Sequence, residues 1–294
     1  MVDFGVDQAA GLRRMSSTPP VKVVAITGGK GGVGKSSVAI NLGTALSLAR
    51  RRVMLLDADL GLANIDVLLG LRAEFNLEHV IEGRCELKDV IVTANSGLHI
   101  VPASSGSFSM ATLARTGQVG LIHAFSELFQ PLDYLLIDTA AGLSESVMTF
   151  SEAAHRVVVV VCDEPASLTD AYGLIKVLSR RQPDTQIEVV TNMTDSAVHG
   201  QALYEKLARV GEKFLGVTPR YLGNIPNDER LRRAVQQQMS VVEAFPGASS
   251  TRAFKDLAQT VDRWKPIDKA RGGVEFFVER LVGIDSRNVE GTLQ

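Results

Sequence analysis

Short, almost continuously apolar runs alternate along the chain with longer stretches of helical character. The clearest run is Arg156–Cys162, RVVVVVC, which has almost no polar residue and is expected to be buried on both faces. Similar runs predict further strands over Val21–Thr27, Arg52–Asp57, Leu98–Val101, Tyr134–Asp138, Gln186–Asn192 and Arg220–Asn224. Because helices separate these strands, we expect a doubly wound α/β fold, a mostly parallel sheet with helices on both faces.

Two terminal segments fall outside this pattern. Residues 1–20 form a polar arm that ends in the linker-like sequence SSTPP, and residues 266–294 contain the apolar stretch GGVEFFVERLVGI. We therefore expect one domain over residues 21–265, preceded by a flexible arm and followed by an amphipathic helix and tail.

The composition excludes several classes of protein. Apolar residues make up 45% of the 294 residues and aromatic residues only 5%, so a large aliphatic core is expected. A formal net charge of −2 disfavours nucleic-acid binding through a basic field over the whole chain. The two cysteines form no CxxC pair, which fits a reducing cytosol. Since the N-terminus lacks a secretory signal and no apolar run approaches the ~20 residues of a membrane helix, we expect a cytoplasmic protein.

A glycine-rich loop between the first predicted strand and a helix predicted over Gly34–Arg50 carries a phosphate-binding signature. Residues 29–36, GKGGVGKS, fit GxxxxGK[ST]. Lys35 should reach the β- and γ-phosphates and the Ser36 hydroxyl should hold Mg²⁺, so ATP and Mg²⁺ are the predicted ligands. The alternative, a glycine-rich turn without a ligand, is disfavoured by the strand and helix on either side. The predicted contact residues are Gly29, Lys30, Gly31, Gly32, Val33, Gly34, Lys35, Ser36 and Ser37.

Acidic residues stand at the ends of two predicted strands. Asp57 and Asp59 can both face the phosphate site, where they could bind metal-bound waters or polarise the attacking water. The apolar strand that ends at Asp138 has a Walker B pattern, in which the carboxylate holds Mg²⁺ through water, and the small residues Thr139–Gly142 follow it. An ordinary strand-end turn is the alternative for the first pair. The predicted metal-site residues are Ser36, Asp57 and Asp138.

Residues 30–36, KGGVGKS, resemble the deviant Walker A motif of the MinD/ParA class of P-loop ATPases. This resemblance covers roughly residues 20–265. It implies that Lys30 crosses the interface of an ATP-dependent homodimer and contacts the phosphates of the partner subunit. It also implies that Asp59 positions the attacking water, that Asp57 supports the metal site and that Asn64 is the switch I asparagine. The expected catalytic residues are therefore Lys30, Lys35 and Asp59.

The same resemblance places three residues on the adenine side of the nucleotide. Asn192 ends a predicted strand, and Pro226 and Asp228 lie in the following GNIPNDE segment. The alternative for these residues is a structural role in loops that begin or cap helices.

Several stretches are similar to the FlhG (FleN) family of ATPases that control the number of bacterial flagella. The first is DQAAGLR at residues 7–13, which looks like the DQAxxLR motif of that family. The resemblance implies binding to the GTPase FlhF through Asp7, Gln8, Leu12 and Arg13. It also implies action with flagellar C-ring proteins or with the transcription activator FleQ. A disordered polar arm is the alternative for this motif.

The C-terminal segment has an apolar stripe at helical spacing, formed by Val274, Phe277, Val278, Leu281 and Ile284. In the resembled family such a helix inserts into the membrane surface when ATP drives dimerisation, which here would involve Phe276, Phe277 and Leu281. Residues 262–288 carry six basic and five acidic side chains, so anionic lipid would attract them little. The alternative is that this helix docks on the same domain. We expect the helix to be docked without ATP and released with ATP, which would give reversible contact with the inner face of the cell membrane.

Other functions remain open at this point. A ParA-type DNA-partition ATPase would need a basic surface, for which Arg232 and Arg233 are a weak candidate, and direct DNA binding is disfavoured. A metal-cluster carrier would need suitably placed cysteines. A module that binds nucleotide without hydrolysis is disfavoured by Lys30, Asp59 and Asp138, and we expect a slow ATPase stimulated by a partner or a membrane.

Overall fold

The computed structural model describes residues 21–59, 64–102 and 132–265. The predictions for the N-terminal arm and for the C-terminal helix lie outside the described residues. Eight strands are present in this part of the chain. They are β1 (Lys22–Gly28), β2 (Val53–Ala58), β3 (Val92–Thr93), β4 (His99–Val101), β5 (Tyr134–Ala141), β6 (Arg156–Val161), β7 (Gln186–Thr194) and β8 (Arg220–Pro226).

The described helices include long ones between the strands and several short ones. They are α1 (Lys35–Leu48), α2 (Ile65–Leu68), α3 (Leu77–Ile81), α4 (Leu87–Val90), α5 (Glu145–Ala153), α6 (Pro165–Arg181), α7 (Ala197–Leu215), α8 (Glu229–Gln236), α9 (Val241–Ala244) and α10 (Ser249–Asp262). No helix in the described ranges has the length and apolarity required to cross a membrane.

The strands form one sheet in the order β3-β4-β2-β5-β1-β6-β7-β8. All neighbours are parallel except β3 and β4, which pair antiparallel. The predicted α/β class, a mostly parallel sheet, is confirmed. The two-residue strand β3 was not predicted because so short a run carries no periodicity.

Helices cover both faces of the sheet and create two apolar cores. One core packs side chains of α3 to α7 against the sheet, and the other packs α1, α2 and α8 to α10 against the opposite face. The five central valines of β6 are fully buried, as the uninterrupted run predicts. Because β1 lies between β5 and β6, the loop after β1 is next to the carboxyl ends of both neighbours, where ligands bind in such folds.

A buried ion pair joins β6 to β7 near their amino ends. Arg156 Nη1 lies 2.7 Å from Glu188 Oε1, and the Trp264 ring lies over the guanidinium group with 4.4 Å between the ring centroid and Cζ. Burial lowers the pKa of Arg156 and raises the pKa of Glu188. Arg156 therefore depends on Glu188 for compensation, while Glu188 also has the positive charge of its β8 neighbour Arg220 nearby.

We expect Arg156→Ala to lower the free energy of unfolding by up to about 3–5 kcal/mol, because it removes the hydrogen-bonded partner of the buried Glu188 carboxylate and leaves the charge of Arg220 to compensate it. Urea unfolding monitored by circular dichroism measures this change. The matched control is Arg52→Ala, which removes an exposed pair with Asp133 and should cost no more than about 1 kcal/mol. Equal losses in the two variants would contradict the importance of burial at Arg156.

Candidate nucleotide-binding site

The loop between β1 and α1 adopts a backbone that only glycine supports at two positions. Gly32 and Gly34 have φ angles of 79° and 91°. A Cβ atom at Gly34 would lie 2.3 Å from Nδ2 of Asn192, and this same nitrogen donates a 2.9 Å hydrogen bond to the carbonyl of Val33. The end of β7 thus holds the loop from the side.

A second contact holds the start of the loop. A Cβ atom at Gly29 would lie 2.2 Å from the backbone carbonyl carbon of Asp170 in α6. The N–H of Gly142, which follows β5, donates a 3.0 Å hydrogen bond to the carbonyl of Gly28. The middle of the loop is open by contrast, since a Cβ atom at Gly31 or Gly32 would meet nothing within 4 Å. An anion can therefore approach the backbone of the loop, which leads directly into the amino end of α1.

The predicted phosphate and metal side chains follow the loop at the start of α1. Lys35 is buried, and its positive charge partly offsets the burial that raises the pKa of Asp138. The Ser36 hydroxyl hydrogen-bonds to Asp138. The Ser37 hydroxyl is buried and has no partner among the described residues. The structure therefore brings Lys35 and Ser36 together with the acid that the Walker B pattern predicts.

The two strand-end acids lie side by side, because Asp57 in β2 and Asp138 in β5 are partners in the register of the parallel pair. Burial raises the pKa of Asp57 to about 6 and the pKa of Asp138 to about 7. Asp57 accepts hydrogen bonds from the backbone N–H groups of Asp59, Asn64 and Ile65 at 3.1, 3.0 and 3.2 Å.

These acids fit a bound cation. Oδ1 of Asp138 is buried and has no hydrogen-bond partner among the described residues. The neighbouring charges of Asp57 and Asp59 raise the pKa of Asp138 further. A hard divalent cation that prefers oxygen ligands would supply the missing compensation, and Mg²⁺ is such an ion. Ser36, Asp57 and Asp138 are the residues placed to hold it.

The remaining predicted side chains differ in how closely they approach this centre. Asp59 follows β2 and is near enough to influence the pKa of both Asp57 and Asp138. Asn64 is the residue before α2 and binds Asp57 through its backbone N–H.

Lys30 contacts a residue outside its own loop. Its ammonium group pairs with the Glu164 carboxylate, immediately before α6, and this hydrogen bond raises the pKa of Lys30. Sequence reasoning missed Glu164, for which the only local signal was an acid directly before Pro165.

Of the three predicted adenine-side residues, Asn192 lies near the end of β7 against the phosphate loop, Pro226 ends β8 and Asp228 follows it. Asn192 is buried, and its Oδ1 has no partner in the described part of the chain. Pro226 pairs with Thr194 at the end of β8.

Asp228 acts through its carboxylate as a helix cap. It accepts hydrogen bonds from the N–H of Arg230 and from both the N–H and the hydroxyl of Ser250. Although burial raises it, these bonds lower the pKa of Asp228 to about 2. The capping alternative thus describes its side chain, and an adenine contact by this segment stays a prediction.

Comparisons with known proteins agree with this geometry. The family model described as ParA, a NUBPL iron-transfer P-loop NTPase, matches residues 20–262. The chain is 53% identical over 271 residues to the Antiactivator FleN of Pseudomonas aeruginosa, covering 92% of this chain and 97% of FleN. It is 31% identical over 238 residues to the flagellum site-determining protein YlxH of Helicobacter pylori, covering 81% of this chain and 80% of YlxH.

Solved structures share the fold. The MinC:MinD cell division protein complex of Aquifex aeolicus contains a chain with a TM-score of 0.66 and 26% identity, covering 84% of this chain and 98% of that one. MinD of Pyrococcus horikoshii, complexed with Mg-ADP, has a TM-score of 0.66 at 24% identity, covering 83% of this chain and 96% of that one. With the phosphate loop, the two buried acids and these matches in place, the chain belongs to the ParA/MinD family of P-loop ATPases.

Proposed function

We propose that this ATPase is an ATP-dependent dimerisation switch that regulates the number and placement of bacterial flagella. The observation that carries the proposal is the similarity to FleN, which extends over nearly the whole chain. YlxH, a flagellum site-determining protein by name, supports it. The flagellar role distinguishes this proposal from DNA partition, the alternative within the same family.

In this proposal the loop backbone and Lys35 bind the phosphates of ATP. The open N–H groups around Gly31 and Gly32 face the anion, and the amino end of α1 adds its partial positive charge. Ser36, Asp57 and Asp138 hold Mg²⁺, which would neutralise charge on the β- and γ-phosphates. Asp59 orients the attacking water. The Asn192 amide, fixed against Val33, has an acceptor left for the adenine amino group.

Lys30 is the residue that links hydrolysis to dimerisation. Its pair with Glu164 is exposed, so water screens the attraction and the lysine can exchange partners readily. In a face-to-face dimer Lys30 would leave Glu164 and reach the phosphates bound by the other subunit. A cation at that position offsets the charge that develops as the γ-phosphate leaves.

The finer parts of the proposal concern partners. We place the contact with an FlhF-type GTPase at Asp7, Gln8, Leu12 and Arg13, and reversible membrane contact at Phe276, Phe277 and Leu281. C-ring proteins and FleQ are the further partners implied by the family resemblance. Liposome binding that is identical with and without ATP would contradict the membrane part.

We expect the wild-type protein to be a monomer with ADP and a dimer with ATP, and Lys30→Ala to remain a monomer with both nucleotides. Loss of the cation removes the contact to the phosphates of the partner subunit. Multi-angle light scattering measures the mass directly. Lys255→Ala, which removes an exposed lysine on α10, is the control and should dimerise normally. A mass that never responds to ATP would exclude the switch.

We expect the nucleotide-free, Mg²⁺-free protein to lose stability as the pH rises from about 4 to about 7. The folded-state pKa values of Asp57 and Asp138, about 6 and about 7, lie above the ordinary aspartate value of 3.8, chiefly because the two groups are buried. A raised pKa contributes stability that is complete below the unfolded pKa and is lost as the pH passes through the folded pKa. Thermal unfolding at pH 5 and pH 8, with and without Mg²⁺, measures the effect.

The control for this pH dependence is Asp138→Asn, which cannot ionise. At pH 8 without Mg²⁺ it should exceed the wild type in stability by about 4 kcal/mol, and Mg²⁺ should stabilise it less than the wild type. If the stability of the wild type and that of Asp138→Asn depend on pH in the same way, ionisation of Asp138 does not cause the pH dependence, and the proposed cation site at Asp138 is contradicted.

The flagellar function is tested in the bacterium that carries this chain. We expect deletion of the gene to change the number of flagella per cell, counted by electron microscopy. The wild-type chain should restore the number, and Lys35→Ala should not, because it cannot hold the phosphates. Cells with unchanged flagella after deletion would exclude this role and favour the DNA-partition alternative, for which plasmid loss is the measurement.

A further inference from the structure

Two helix ends meet beside the candidate site, and both finish in the same way. After α2, Gly70 has a φ of 61°. The N–H of Leu71 donates a 2.8 Å hydrogen bond to the carbonyl of Asp66, and the N–H of Gly70 donates a 3.2 Å hydrogen bond to the carbonyl of Val67. This pair of bonds is a Schellman motif, in which the left-handed position is normally glycine.

The end of α8 has this motif with glutamine at the left-handed position. Gln238 has a φ of 55°. The N–H of Met239 donates a 3.0 Å hydrogen bond to the carbonyl of Ala234, and the N–H of Gln238 donates a 3.0 Å hydrogen bond to the carbonyl of Val235. A non-glycine residue in this conformation is strained and persists where surrounding contacts hold it.

The side chain of Gln238 supplies such a contact. Its Nε2 donates a 2.8 Å hydrogen bond to the carbonyl of Val67, in the last turn of α2. A Cβ atom at Gly70 would lie 3.2 Å from Cβ of Gln238, so glycine leaves the room for this approach. The amide of one helix end therefore caps the other.

The opposite end of α2 is held by the candidate metal-site acid. Oδ2 of Asp57 accepts from the N–H groups of Asn64 and Ile65, which begin this four-residue helix. Because α2 is so short, it has little stability of its own and its position depends on both ends. Gln238 and Asp57 thus contact opposite ends of the same short helix.

The contacts also continue from α8 to the predicted adenine side. Asp228 caps the first turn of α8 through Arg230 and binds Ser249 and Ser250 at the start of α10. One short helix thus connects Asp228 to Gln238, and another connects Gln238 to Asp57.

We propose that Gln238 is a positioning residue: it holds α2 in place, keeps the backbone donors on Asp57, and couples the Pro226–Asp228 segment to the cation-binding edge. The coupling to nucleotide and cation rests on the proposed roles of Asp57 and Asp228. The positioning of α2 does not.

The test compares Gln238→Gly with Arg50→Gly. Arg50 also occupies the left-handed position of a Schellman motif, after α1, with a φ of 62°. Glycine relieves the backbone strain at both positions, so neither variant should unfold at a lower temperature than the wild type. Only Gln238→Gly removes a hydrogen bond to α2, so the pair separates the bond from the backbone effect.

Hydrogen exchange of the nucleotide-free protein reads the position of α2 directly. We expect amides of residues 64–71 to exchange about 3- to 10-fold faster in Gln238→Gly, the factor that one net hydrogen bond corresponds to. Arg50→Gly should exchange as the wild type does. Equal exchange in all three proteins would overturn the proposal.

The coupling is read from the Mg²⁺ concentration that half-activates ATP hydrolysis. We expect a rise of about 2- to 10-fold in Gln238→Gly, with the rate at saturating Mg²⁺ close to wild type, and no rise in Arg50→Gly. Faster exchange with an unchanged Mg²⁺ midpoint would overturn the coupling to Asp57. A wild-type protein without Mg²⁺-dependent hydrolysis would contradict the proposed function instead, and the exchange comparison would still decide the positioning role.

Discussion

The burial of two carboxylates side by side is the constraint on which the site depends. Asp57 and Asp138 are register partners on adjacent parallel strands, so the sheet itself brings them together. Burial disfavours their ionised forms, which backbone donors, Ser36 and Lys35 offset in part. An edge of this kind is stable when it binds a cation or protons, which makes its state sensitive to the ligand.

Contacts from distant parts of the chain hold the phosphate loop in its conformation. Asn192 of β7 fixes the carbonyl of Val33, and the backbone at Asp170 of α6 leaves no space beside Gly29. These contacts hold the loop at both ends and leave its middle open. Because α6 and β7 contact the loop directly, a displacement of either element would change the position of the phosphate-binding backbone.

Local sequence patterns predicted the parts of the site that lie close together in the chain. The glycines, Lys35 and Ser36 follow one strand, and Asp57 and Asp138 lie toward the carboxyl ends of two others, so period and spacing were enough, although β5 continues to Ala141. The long-range contacts were not predictable. Glu164 on Lys30, Asn192 on Val33 and Gln238 on Val67 each join residues more than 100 positions apart, and no local signal specifies the partner.

The exposed pair of Lys30 and Glu164 and the buried pair of Arg156 and Glu188 illustrate two uses of the same charges. The buried pair does not separate readily, because Arg156 would then lose the carboxylate that compensates its buried charge. The exposed pair contributes little, because solvent screens both groups whether or not they touch. In the proposed dimer Lys30 has to leave Glu164 to reach the phosphates of the other subunit, and a weak, exposed pair permits this exchange at little cost. A buried pair such as that of Arg156 and Glu188 would oppose it.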